Sequence, residues 1–368
     1  MKLLRFFGKL LLVLALALLA LAAGVWAFLT WAPSVGRSPD KAELAARAAK
    51  AGLPYDGRFH NENERPVMTG EPRLHSDRRV PKTLLPAVHD GAPSRGGAGE
   101  LRVTWMGHSS SLVQLGERNI FIDPMLSDRS SPLSFIGPKR FAELPFSAAE
   151  VPELDAVFLS HEHYDHLDYR TILAIDGRVR HYIVPLGVDA VLRGWGVSEE
   201  KLHPLAWWES VELDGVRYTL TPAQHFSNRN PLRAGRTLWG GLWFTDGAHS
   251  VYATGDGGYC SAFSQVYERL GAPDLMLADI GQYDPSWAPM HTNPSEAVHA
   301  ALDAHARWVL PVHWGAFCIC NHAWDEPIIE AVAEAEKAGV LLATPRLGQT
   351  ADYDAFDDYR EHWWEGID

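Results

Sequence analysis

Cysteine is scarce: the 368-residue sequence holds three, Cys260, Cys318 and Cys320. An odd number gathered late in the chain excludes a disulfide framework. Cys318-x-Cys320 has the spacing of a metal-binding pair, but ordinary small core residues are the simpler reading. No cysteine lies near the amino terminus, which excludes a lipid-modified cysteine anchor. Positive charge is also short. Lysine and arginine total 33 against 46 aspartates and glutamates, a formal net charge of −13. A general nucleic-acid binder needs a basic face and is excluded. A phosphodiester substrate is not, because bound divalent cations would dominate the local field. Internal repeats are lacking too.

What is present is a 46% apolar chain, long enough for one large domain with a real core. Its amino terminus carries Lys2, Arg5 and Lys9, and residues 10–29 are then almost wholly apolar. About 20 such residues are what a helix needs to cross a bilayer. A signal peptide cut near Leu21-Ala22-Ala23 and an uncleaved anchor both fit. The run is longer than a usual signal core, and Trp26 and Trp31 suit an interface, which favours the anchor. The cations precede the run, so the rest of the chain is expected on the outer, periplasmic or extracellular, side of the cytoplasmic membrane.

The densest chemistry lies in Ser160-His161-Glu162-His163-Tyr164-Asp165-His166-Leu167-Asp168, an H-x-H-x-D-H pattern. Zinc takes imidazole and carboxylate ligands. Two metals held close together need two such sets and a group shared between them. The apolar run 155–160 reads as a buried strand ending at this loop. Downstream, His225, Asp256 and His313 each close another apolar run before turn or polar residues. One such histidine is usually structural; three ligand types in order after this loop point to a metal centre.

This set resembles the metallo-β-lactamase superfamily, whose members are mostly dinuclear zinc hydrolases. The resemblance implies an α/β fold, an αββα sandwich of two β-sheets with helices on both outer faces, with metals at one edge. It implies two Zn2+ ions per chain. One is held by His161, His163 and His225, the other by Asp165, His166 and His313, and Asp256 bridges them. Residues 101–327 are similar to the N-acyl-phosphatidylethanolamine-hydrolysing phospholipase D family. The similarity rests on Gly107-His108-Ser109-Ser110, Phe121-Ile122-Asp123-Pro124, Gly137-Pro138-Lys139-Arg140-Phe141, Trp207-Trp208-Glu209, Pro222-Ala223-Gln224-His225, Leu238-Trp239-Gly240-Gly241, Thr254-Gly255-Asp256 and His313-Trp314-Gly315.

That branch implies cleavage of N-acyl-phosphatidylethanolamine to an N-acylethanolamine and phosphatidic acid. His291 matches the family's catalytic histidine, which also contacts substrate. Asp123 matches the aspartate that fixes a ligand histidine's tautomer. Tyr164 occupies a substrate-contact position. The ascorbate-6-phosphate lactonase-like branch shares the metal pattern and is a competing reading. A membrane-tethered metal-binding protein without catalysis is another, against which stands the complete ligand set. Expected partners are membrane phospholipid, the membrane itself through the anchor, and no nucleic acid; a homodimer stays open.

The expected organisation is an anchor or signal segment (1–32), a connector arm (33–100) and a metallo-β-lactamase-fold catalytic domain (101–368). The arm holds one amphipathic helix at 40–50, with Asp40 as N-cap and Gly52 as stop. Its proline-, arginine- and glycine-rich remainder reads as extended. Strands are expected at 101–106, 111–115, 119–123, 155–160, 180–184, 216–221, 242–244, 250–254 and 274–278. Helices are expected at 261–270, 294–304 and 326–337. Trp207, Trp208, Trp239 and Trp243 suit either an acyl groove or core packing. Arg229, Arg233 and Arg236 suit either a phosphate site or a solvated loop.

Overall fold

A computed structural model describes residues 2–63 and 65–368. Met1 and Glu64 lie outside the description, as do the side chains of Lys2, Leu3 and Leu4. From residue 101 the strand-forming runs assemble into two mixed sheets. The first holds β1 (Leu101–Trp105), β2 (Ser111–Leu115), β3 (Arg118–Ile122), β4 (Leu154–Phe158), β5 (Val179–Pro185) and β6 (Leu202–Leu205). The second holds β7 (Ser210–Leu213), β8 (Val216–Thr221), β9 (Gly241–Thr245), β10 (Ser250–Ala253), β11 (Leu275–Asp279) and β12 (Trp308–Val312). A last strand, β13 (Thr350–Asp352), returns to pair with β1. The orders are β13-β1-β2-β3-β4-β5-β6 and β12-β11-β10-β9-β8-β7.

Alternation along the strands sets the layers. Ile120, Ile122, Ala156 and Phe158 face the core shared with the second sheet. Phe121 and Val157, one residue out of phase, pack outward with Ile172 and Val188. Those two residues belong to α3 (Tyr169–Ile175) and α4 (Val188–Gly194), which cover the first sheet. The second sheet is covered by α5 (Ala262–Leu270), α6 (Pro294–Asp303) and α7 (Glu326–Ala338), which supply Val266, Ala301 and Ile328 to the shared core. Each large apolar side chain so buried contributes about 1.5–3 kcal/mol. The expected αββα sandwich is therefore the fold.

Strand direction places the site. β2 is antiparallel to β1 and β3, and β3 is parallel to β4, so β1, β3 and β4 run one way. β8 and β10 flank β9 antiparallel, and β10, β11 and β12 are parallel. The sheets meet where these strands end: the His108 amide donates to Trp314 O, and the His313 amide to His108 O.

The amino-terminal hundred residues are not detached. α1 (Lys2–Trp31) contains a 27-residue stretch, Arg5–Trp31, long and apolar enough to cross a membrane, exposed up to residue 26 and half-buried over residues 27–30. α2 (Lys41–Lys50) is capped by Asp40, which accepts from the Ala42 and Glu43 amides. Leu44, Ala48, Phe59 and Leu85 from this arm are buried in the main core.

Candidate metal centre

The sequence ends its strands on polar residues, and those ends converge. Asp123 closes β3; its Oδ1 accepts from the Ser160 amide at 2.7 Å and its Oδ2 from Ser160 Oγ at 2.6 Å. The same Oδ2 lies 2.7 Å from His166 Nδ1. An ionised carboxylate only accepts, so Nδ1 carries the proton. His166 Nε2 then points inward, 2.9 Å from Asp256 Oδ2 and 3.4 Å from Asp165 Oδ2.

The other histidines face one another. His161 Nε2 is 2.7 Å from His163 Nδ1, and His225 Nε2 is 3.3 Å from that same nitrogen. His225 Nδ1 is taken by Met290 O at 2.9 Å, which turns Nε2 into the cluster. Four overlapping sets emerge whose ligand atoms lie within 4.8 Å of one another: His161, His163 and His225; His108, Asp165, His166 and His313; His161, His166 and Asp256; and Asp256, Asp279, His291 and His313. All seven residues read from the sequence as ligands thus gather in one place, with Asp256 touching both groups.

The donors suit a cation. His166 Nε2, both ring nitrogens of His313 and Asp256 Oδ1 are buried without a hydrogen-bond partner among the described residues. His313 Nδ1 and Asp256 Oδ1 are 2.8 Å apart yet out of line for a hydrogen bond. Buried polar atoms left unpaired are costly, and a shared positive ion satisfies them. Burial, with neighbouring histidines, holds His161 and His225 far below the usual imidazole range, neutral as metal ligands must be. Burial also opposes charge on His313, but Asp256 and Asp279 overcome it and raise the imidazole to about 9. The carboxylates demand positive charge here.

The backbone is strained around this cluster. Seven non-glycine residues among those described have positive φ, and four of them, His108, Asp123, Gln282 and His313, surround the site. Such conformations persist where the surrounding fold over-determines them.

His291 follows β11 and lines a cleft of about 340 Å³ over the metal donors. Its Nδ1 is 3.0 Å from Asp279 Oδ2. Val67, Met68, Phe226, Trp287 and Ile319 form apolar walls. Tyr164 lines the cleft as well, although its hydroxyl donates to Arg229 O at 2.9 Å.

Other readings move. Trp207, Trp239 and Trp243 are buried in the core and Trp208 packs against it, so the tryptophans do not line this cleft. Arg229, Arg233 and Arg236 donate to Ser34 O, Gly36 O and Ser38 Oγ of the arm and are not gathered as a phosphate site. Cys318 Sγ donates to Cys320 O, and Cys320 Sγ lies 2.9 Å from His322 Nε2. Two residues of the site were not read from the sequence as such. His108 Nε2 lies 2.9 Å from Asp165 Oδ2, and Asp279 joins His291 to His313. Asp279 also ends an apolar strand, the signal that marked His225, Asp256 and His313.

A fold of this kind with histidines and aspartates at one sheet edge defines a class, the metallo-β-lactamase-fold hydrolases. A family model described as a beta-lactamase superfamily domain matches residues 118–314, and the chain belongs to that superfamily. It is 37% identical over 369 residues to an uncharacterised protein of Mycobacterium tuberculosis, covering 95% of this chain and 98% of that protein. It is 34% identical over 262 residues to N-acyl-phosphatidylethanolamine-hydrolyzing phospholipase D 1 of Caenorhabditis elegans, covering 68% of this chain and 73% of the relative. Among solved structures, Igni18, a metallo hydrolase from Ignicoccus hospitalis, shares the fold with a TM-score of 0.52. It is 22% identical, covering 69% of this chain and 98% of that one. The protein is a metal-dependent hydrolase.

Proposed function

We propose that the protein is a zinc-dependent phosphodiester hydrolase of the phospholipase D type. Its substrates are N-acyl-phosphatidylethanolamine-like lipids, cleaved to an N-acylethanolamine and phosphatidic acid. The observation that carries this reading is the cleft itself: metal donors form its floor, and Val67, Met68, Phe226, Trp287 and Ile319 form walls suited to a lipid. The activity named for the Caenorhabditis elegans relative supports the same substrate class.

On this reading His161, His163 and His225 would hold one zinc and Asp165, His166 and His313 the other, with Asp256 available to both. When bound, the metals supply Lewis acidity toward phosphoryl oxygens and acidify water at neutral pH. The chain's own groups do the rest. Asp123 keeps the proton on His166 Nδ1 and frees Nε2 as a ligand. Asp279 occupies His291 Nδ1, so Nε2 is the nitrogen left to deliver a proton to the departing alcohol. Tyr164 flanks the substrate.

The organisation follows: residues 1–32 as an anchor in the cytoplasmic membrane, 33–100 as an arm, and 101–368 as the catalytic domain on the outer side. An anchored enzyme meets diacyl substrate at high effective concentration. The test is incubation of the purified full-length protein with a mixture of membrane lipids, products read by mass spectrometry. N-acyl-phosphatidylethanolamine should fall as N-acylethanolamine and phosphatidic acid rise in equal amounts. Untouched phospholipid beside rapid opening of a lactone would overturn the assignment.

A further inference from the structure

The loop that follows His225 meets the end of α1 beside the metal ligands. Arg229 in that loop is 2% exposed, and its guanidinium makes four hydrogen bonds to main-chain carbonyls. Nη1 donates to Glu162 O at 3.0 Å and to Leu167 O at 2.7 Å. Nε and Nη2 donate to Ser34 O at 3.0 and 2.6 Å. Glu162 and Leu167 bracket His163, Asp165 and His166, so one side chain grips both ends of the ligand loop. The guanidinium also lies 4.2 Å from the Tyr164 ring centre and 5.1 Å from that of Trp195. Only arginine offers a rigid fork that can serve three carbonyls at once.

Its far end reaches the residues that leave α1. Asn230 Nδ2 donates to Leu29 O at 2.7 Å, and Trp195 Nε1 to Pro33 O at 2.7 Å. Val35 is buried beside them. A helix used as a simple tether needs none of this; a flexible linker would hold the enzyme at the membrane equally well.

We infer that Arg229 is a positioning residue that couples residues 29–36 to the metal loop, so that the segment leaving the anchor helps to fix the metal centre. The inference rests on the metal-centre reading but not on the identity of the lipid. A soluble form of the enzyme must therefore keep residues 29–36 and cannot begin at residue 101.

The test uses the full-length protein in detergent, with Arg229→Gln, Arg229→Lys and, as a control, Arg236→Gln. Arg236 donates to Ser38 Oγ, at 3.2 Å, outside residues 29–36. Zinc affinity is measured by competition with a chelating indicator. kcat and KM are measured on bis(4-nitrophenyl) phosphate at saturating zinc. Arg229→Gln should weaken zinc binding roughly 10–100-fold, as loss of a ligand-orienting contact does, and lower kcat more than it raises KM. Arg229→Lys should lie between it and the parent, and Arg236→Gln should match the parent. Parental zinc affinity in Arg229→Gln, or an equal loss in Arg236→Gln, overturns the coupling. If Arg229→Gln does not accumulate, chains starting at residues 29 and 37 decide. Residues 5–26 of α1 are exposed and residues 27 and 28 only half-buried, so their removal leaves the core intact; equal zinc affinity in the two overturns the proposal. A parent that binds no zinc overturns the metal-centre reading instead.

Discussion

His291 Nδ1 lies 3.0 Å from Asp279 Oδ2. The carboxylate fixes the ring and its tautomer, and it stands at the end of a buried strand. His291→Ala should keep the metals and lose activity by roughly 10²–10⁴-fold, the range for a general acid or base. Asp279→Asn should lose roughly 10–100-fold. Asp279 acts on His291 and also lies 3.4 Å from His313 Nδ1, so the loss in the double variant should fall short of the product of the two single losses. Metal content by atomic spectrometry beside kcat checks this; multiplied losses in the double variant would separate the two residues.

The ligand groups divide around Asp256, and His108 stands behind one of them. Asp165→Asn or His166→Ala should lower zinc occupancy from two per chain toward one and nearly abolish turnover. His108→Ala frees Asp165 Oδ2 from a buried contact of 2.9 Å and should weaken zinc binding roughly 10–100-fold while leaving the ligand set whole. Stoichiometry and affinity titrations read both. Full activity in a mononuclear Asp165→Asn protein would contradict the two-metal arrangement.

Much of this was legible in the chain. The metal loop could be read because its spacing is local and each later ligand closes an apolar run. The central strands could be read because buried runs are apolar. What escaped the reading did so for identifiable physical reasons. β6, β7, β12 and β13 are the four edges of the two sheets. Edge strands are short and tolerate proline, and Pro204 and Pro311 lie in β6 and β12. α3 and α4 have seven residues each, too few to show a helical period. His108 and Arg229 act through contacts with residues distant in sequence, which no local pattern encodes. Of the arm's buried residues, Leu44 and Ala48 lie on the expected helix, but Phe59 and Leu85 are far apart in the chain and share no strand or helix period, so most of the arm read as extended connector.

Gly281 marks a close approach in the same site. A Cβ there would sit 2.1 Å from His313 O, against backbone that cannot yield without moving a ligand. Gly281→Ala should cost about 1–3 kcal/mol, as overpacking does, and should lower zinc affinity with it. Gly177, where a Cβ meets nothing within 4 Å, is the control and should be neutral. Chemical denaturation of the two variants reads the difference.

α1 gives a topological expectation. With cations ahead of the apolar stretch, protease added to intact spheroplasts should remove the domain and leave the amino terminus protected. A protected domain would reverse the orientation.

The central claim is hydrolysis by water at phosphorus, and oxygen labelling tests it most directly. Full-length protein turning over N-acyl-phosphatidylethanolamine in ¹⁸O-enriched water should place one label in phosphatidic acid and none in the N-acylethanolamine. Label in the released alcohol, or in a free fatty acid, would contradict phosphodiester cleavage and the account built on it.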